Sequence, residues 1–213
     1  MELLAISATK ATLEFIDKGG IFMYPLVLCS ITGLAAIGFK AMSLGRSRTV
    51  PDGLARSMAS FGSGDSDPAV RELNQGGSAL ARLGAVAMRH RSKPAEDITR
   101  AVESSAREEV VKMHDGISVL DVVITVAPLL GLLGTASGLV TIFQGLGETT
   151  DHLAIAHGIA EALNTTIFGL AIAVPCVIAH SYFTRRIERL TARMESVLAD
   201  FVSACCHQTP PAN

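Results

Sequence analysis

Thr135 and Thr166 are the residues of this chain whose type and place most invite chemistry. Each sits inside a long run without formal charge, 25 residues over 122–146 and 22 residues over 162–183. Either run can cross a hydrocarbon core as a helix, which takes about 20 residues. Thr135 lies 11 positions before Leu146, and Thr166 lies 10 positions after Ala156. At about 1.5 Å per residue, both hydroxyls fall about 15 Å from the outer edge, near mid-membrane. Two hydroxyls at one depth on adjacent helices can hold a single guest group between them. The alternative is that each bonds the i−4 carbonyl of its own helix. The residues alone leave both readings open.

Glu161 stands at the lip of the second of these runs, about one turn inside the span that the run belongs to. A carboxylate in the centre of a span costs about 2.5–3.5 kcal/mol on insertion scales, so it requires a polar setting or a proton. His157 and Thr165 are its i−4 and i+4 neighbours and share its face, with Asn164 beside them. This group reads as a pore mouth whose charge attracts cations, or as an interfacial glutamate snorkelling to water. Beyond Glu161 neither run contains Asp, Glu, Lys or Arg. A proton path needs a group that loads and releases, which hydroxyls alone do not supply. A second chain is therefore expected to bring the acid.

The segments APLLGLLGT (127–135) and GIAEALNTTIFGLAIAVP (158–175) resemble the two signature segments of the MotA/TolQ/ExbB proton-channel family, closest to its ExbB/TolQ branch. The resemblance covers the spans, their order and the loop sizes. It implies that Thr135 and Thr166 are pore-lining, with Glu161, Thr165 and Asn164 on the same proton pathway. His157 departs from the family, whose members often carry proline there. The resemblance further implies a homo-oligomeric ring, a pentamer, enclosing two single-span ExbD/TolR-like helices that each bear one aspartate. The expected function is the pore-forming subunit of an inner-membrane motor driven by proton-motive force. Such motors serve TonB-type import, outer-membrane maintenance or gliding. A non-conducting scaffold ring around a single-span partner is the alternative, and a channel working alone would need a gate and filter that this chain does not show.

The elements that must position these residues are helices. The chain has 213 residues, 49 % of them hydrophobic, a mean hydropathy of +0.40 and a net charge of −2. Those values suit an all-α membrane protein and give no field that would favour nucleic acid. An amphipathic segment is expected over 1–20, followed by a first span over 21–41. A helical cytoplasmic block takes 42–118, the second span 119–146, a short periplasmic loop 147–156 and the third span 157–183. A helix and tail over 184–213 complete a fold of three transmembrane helices with long cytoplasmic extensions. Small residues at Gly134 and Gly138, and at Gly169 and Ala173, let helix backbones approach closely.

Topology follows from the cations. Lys and Arg crowd the 42–118 block and the residues after Phe183, whereas the loop between the second and third spans carries only Glu148 and Asp151. The positive-inside rule puts block and tail in the cytoplasm and the N-terminus in the periplasm. Within the block, Asp67-Pro68 opens a short helix, a second helix covers 80–89, and a third begins near Pro94. Apolar residues at 98, 102, 110, 113 and 117 predict that this third helix continues into the second span. In the tail, Ile187, Leu190, Met194, Val197 and Phe201 form a heptad-like seam for packing on the block or on a neighbouring subunit. Cys29, Cys176, Cys205 and Cys206 are expected as small core residues. No nucleophile–base pair, metal spacing or phosphate loop is present, so no enzyme activity, cofactor or metal is expected.

Overall fold

The computed structural model describes residues 20–44, 49–61, 71, 73, 76–145 and 152–207. The amphipathic segment expected before Gly20, the helix start at Asp67-Pro68, the loop over 146–151 and the tail beyond His207 lie outside them. Six helices follow in order: α1 (Met23–Ser43), α2 (Asp52–Ala59), α3 (Ala79–Arg89), α4 (Ala95–His114), α5 (Ile117–Gly145) and α6 (His152–His207). Among the described residues there is no strand. Three of the helices, α1, α5 and α6, are long and apolar enough to cross a membrane. With its 56 residues, α6 is about 84 Å long at 1.5 Å per residue, nearly three times a hydrocarbon core. Only its first part can be embedded. Beyond Glu161, its next charged residue is Arg185.

The chain divides into two units, Met1–Gly38 with Gly116–Ser181, and Phe39–Asp115 with Tyr182–Asn213. In the first unit, α5 and α6 meet along small residues. A Cβ on Gly131 would lie 2.9 Å from the Thr165 carbonyl oxygen and from the Thr166 Cα. One on Gly138 would lie 2.7 Å from the Ala162 Cβ, and one on Gly169 only 2.5 Å from the Ala127 carbonyl oxygen. Any side chain at these positions would drive the helices apart. α1 joins the pair at Gly33, where an added Cβ would stand 2.9 Å from Cys176 Sγ and 3.4 Å from Val123. Large apolar residues such as Leu28, Leu34, Leu132, Val140, Ile167 and Val174 face outward and exposed. Lipid or a neighbouring chain suits such a surface, and water does not.

The second unit is built differently, around a conventional apolar core. Ser78 caps α3 by accepting the Ala81 N–H at 3.1 Å. Leu80, Leu83, Ile98 and Val102 are buried on α3 and α4, with Leu54 and Met58 from α2. The distal part of α6 contributes Ile187, Leu190, Met194, Leu198, Phe201 and Cys205. Phe61 and Phe201 meet edge to face with centroids 4.9 Å apart. Arg82 grips Glu109 through two parallel bonds, one of 2.9 Å, while Lys112 Nζ lies 3.1 Å from the same carboxylate. The Arg82 guanidinium thus holds the Glu109 carboxyl below the usual carboxylate range against the opposing effect of burial.

Two sequence expectations are corrected here. α4 does not continue into α5, because the chain breaks at Asp115 and Gly116, and Gly116 takes φ +82. That left-handed conformation suits glycine, and it ends a helix whose last carbonyls need new donors. Lys40 supplies one, its buried ammonium donating to the Asp115 carbonyl. In the distal part of α6, Leu198 rather than Val197 faces inward. Counted from Ile187 to Cys205, the buried positions recur every 3.6 residues on average. That is the period of a straight helix, not of a supercoiled heptad seam.

Candidate functional site

The expected hydroxyl pair is brought together where the backbones of α5 and α6 approach closely. Thr135 Oγ1 and Thr166 Oγ1 are in direct hydrogen-bond contact. Thr165 joins them. All three hydroxyls converge on one acceptor, the Gly131 carbonyl oxygen, at 3.0 Å from Thr135, 3.1 Å from Thr165 and 2.9 Å from Thr166. Thr165 also reaches the Ala162 carbonyl at 2.8 Å, and Thr135 approaches it at 3.4 Å. The i−4 reading holds for one threonine of the pair and not for the other. Thr135 bonds its own i−4 carbonyl, whereas Thr166 donates across to the neighbouring helix.

Gly131 makes this convergence possible in two ways. Its missing side chain admits the α6 backbone, and the same absence leaves its carbonyl open to the neighbouring helix. A carbonyl oxygen has two lone pairs, and one already serves the helical N–H four residues on. It cannot satisfy three hydroxyls simultaneously. At any moment at least two of the three hydroxyl protons must point at Ala162, at another threonine, or outward. The network thus has several arrangements of similar energy, and switching among them needs only rotation about C–O bonds. It can present a guest with either a lone pair or a proton.

The other candidates are placed as follows. His157 is exposed, Glu161 half-buried and Thr165 buried at 2 % exposure. These three, at successive i+4 steps, form a stripe that leads from near the N-terminal end of α6 to the hydroxyl cluster over about 12 Å. Asn164 is half-buried beside that stripe. Gly134 faces Thr165, Gly138 faces Ala162, and Gly169 faces Ala127, while Ala173 is buried one turn further along α6.

Two features escaped sequence reasoning. Gly131 belongs to a stripe of small residues at 127, 131, 134 and 138, and the full spacing signals it better than Gly134 and Gly138 alone. The second is a contact of His180 Nε2 with Asp121 Oδ1 at 2.9 Å, which joins α6 to α5 near the start of α5. Antiparallel register was the available signal. Asp121 lies fourteen positions before Thr135, and His180 fourteen after Thr166. A contact between the threonines therefore predicts one between this aspartate and this histidine.

Comparison with known proteins bears on what this arrangement serves. Residues 72–196 match the model of the MotA/TolQ/ExbB proton channel family. An ExbB-like protein of Synechocystis sp., named for biopolymer transport, is 30 % identical over 210 residues, covering 94 % of this chain and 78 % of the relative. An ExbB homolog of Methanothermobacter thermautotrophicus, also named for biopolymer transport, is 30 % identical over 187 residues, with 87 % and 67 % covered. The Tol-Pal system protein TolQ of Pseudomonas aeruginosa is 35 % identical over 115 residues, or 53 % of this chain and 49 % of that protein.

Proposed function

The chain belongs to the MotA/TolQ/ExbB proton channel family and is a multi-pass membrane protein, and from that premise we propose that it is the pore-forming subunit of an inner-membrane motor driven by proton flow. In this reading several copies, five by family analogy, form a ring. α5 and α6 line the pore, and the N-terminus is periplasmic with the second unit cytoplasmic. An ExbD/TolR-like single-span partner, two copies inside the ring, supplies an aspartate and carries the work outward. The work is TonB-type import, outer-membrane maintenance or gliding.

The observation that carries this reading is the threonine cluster. Three hydroxyls and one shared carbonyl sit at mid-span depth, with no acid of their own. A carboxyl entering there has both states catered for. The ionised form accepts a hydroxyl proton, and the protonated form donates to a hydroxyl lone pair. Equal provision for both states lets a carboxyl load and release without being trapped in either. The stripe His157, Glu161 and Thr165 leads in from the outer side, with Glu161 drawing cations to the mouth and Asn164 adding a polar neighbour.

The non-conducting scaffold draws support from one feature, since every hydroxyl of the cluster has an acceptor within the chain. Purification through a tag on this chain separates the readings at their root. The motor reading expects a single-span chain with a membrane aspartate to co-purify and to be required for proton flux in proteoliposomes. Recovery of this chain alone, or flux unaltered by Asn at that aspartate, counts against it.

A further inference from the structure

The pair of His180 and Asp121 has no part in the threonine cluster, yet its position relates to it. Fourteen positions along either helix correspond to about 21 Å of rise and about 1400° of turn, within 40° of four full turns. His180 therefore lies on nearly the same face of α6 as Thr166, and Asp121 on nearly the same face of α5 as Thr135. Between the two levels the chain offers a further polar group near that face. Pro128 has no N–H to give the Ile124 carbonyl, which is eleven positions from Thr135, about three turns. That freed acceptor stands one turn from Asp121.

The pair is graded toward water. The His180 side chain is 29 % exposed and the Asp121 side chain 60 %. An imidazole can take a proton on one ring nitrogen while giving one from the other, which suits it to a relay. Few other groups compete for it. On α5, Thr125 turns its hydroxyl to the Asp121 carbonyl at 3.0 Å and leaves the carboxylate alone. On α6, the neighbours one turn away are Cys176 and Thr184. α1, packed on this level through Gly33, carries only Tyr24 and Cys29 as titratable groups before Lys40. Lys40 is engaged by the Asp115 carbonyl and Arg186 by the Leu44 carbonyl at 3.2 Å.

We infer that His180 and Asp121 form the proton-release station of the pathway, on the cytoplasmic side of the threonine level. This rests on the motor reading above and extends it to residues that reading does not use. The step balances as a proton relay. Neutral His180 donates Nε2–H to the Asp121 carboxylate and presents the Nδ1 lone pair. Nδ1 takes a proton delivered through water from the carboxylic acid at the threonine level, which becomes a carboxylate. The resulting imidazolium, held by the Asp121 charge, gives its Nε2 proton to that carboxylate. Asp121 passes the proton to bulk water, and exchange of the imidazole tautomer restores the starting state. Nothing is oxidised or reduced, and each cycle moves one proton.

The test is proton flux into proteoliposomes holding the complex purified through this chain, with a pH dye inside. Four forms are compared: unsubstituted, His180→Gln, His180→Ala and Asp121→Asn. Glutamine keeps a donor for Asp121 but cannot titrate. The relay expects flux to fall about tenfold or more in both His180 variants and severalfold in Asp121→Asn, with the complex still assembled. It also expects added imidazole to restore flux in His180→Ala and not in His180→Gln. Normal flux in His180→Gln with loss in His180→Ala overturns the relay and leaves a structural clip. Absence of flux in the unsubstituted complex overturns the motor reading and this inference with it.

Discussion

Gly169→Ala is the smallest change that should pull the hydroxyl cluster apart. An added Cβ at 169 would stand 2.5 Å from the Ala127 carbonyl oxygen and 3.3 Å from the Gly131 Cα. Ordinary contact begins near 3.4 Å, so α5 and α6 must separate by about 0.9 Å, the difference between those distances. Both obstacles are backbone and cannot rotate away. The Thr166 and Thr165 bonds to Gly131, now 2.9 and 3.1 Å, would open to about 3.8 and 4.0 Å, beyond hydrogen-bond reach. Overpacking costs about 1–3 kcal/mol. Two interhelical bonds at about 0.6 kcal/mol each bring the expected loss to about 2–4 kcal/mol. Reversible unfolding in mixed detergent micelles measures that loss, with proton flux read on the same preparation. Gly38→Ala is the control, because its Cβ meets nothing within 4 Å and alanine favours a helix. A Gly169→Ala protein within about 0.5 kcal/mol of the parent, with normal flux, would refute the close-packing account; that margin is the usual effect of a neutral substitution.

Glu161→Ala should leave the complex assembled but reduce proton-driven activity in a complementation assay with protein level checked by blot; full activity at normal abundance removes Glu161 from the pathway. Arg82→Ala should cost about 1–2 kcal/mol, discounted for the half-exposed guanidinium. Because Arg82 lowers the Glu109 pKa, the stability it gives is present above the usual carboxylate range and lost as pH falls through the lowered value. The difference between parent and variant, followed by thermal melting, should therefore shrink on acidification, and an unchanging difference contradicts the assignment. In a background without cysteine, a cysteine at Glu103 should resist an impermeant thiol reagent on intact cells, while one at Thr150 should react. The opposite pattern inverts the topology and the placement of Glu161 with it.

The sequence made most of the first unit legible because membrane helices announce themselves by length, charge and small residues. Thr135 and Thr166 could be set at one depth by counting alone. Counting did not reveal that a third hydroxyl, Thr165, and one carbonyl, Gly131, complete the cluster. That depends on how near the backbones approach, which follows from the whole stripe 127, 131, 134 and 138. Asp121 and His180 were overlooked because each sits at the edge of an apolar run, where a polar residue looks like a boundary. Their pairing is a matter of register between two helices. The break at Gly116 was hidden for a related reason. Apolar periodicity continues across it, and a single glycine reads as a tolerable helix residue until a buried lysine is seen to donate to the carbonyl before it. Val197 and Leu198 differ by one step, too fine for a pattern that fits a straight helix and a supercoil about equally well.

The central claim is that Thr135 and Thr166 act jointly on one guest carboxyl, and valine substitutions test it most directly. Valine keeps the shape and removes the hydroxyl. Leaving a buried partner unsatisfied costs about 1–3 kcal/mol, or roughly five- to 150-fold in rate if the loss falls on the transition state. Thr135→Val, Thr166→Val and the double variant should be compared in one proton-flux assay on reconstituted complex. The account predicts a strong fall in each single variant with assembly intact, and a double variant that loses less than the sum. Near-normal flux in all three, or small losses that simply add, would contradict it.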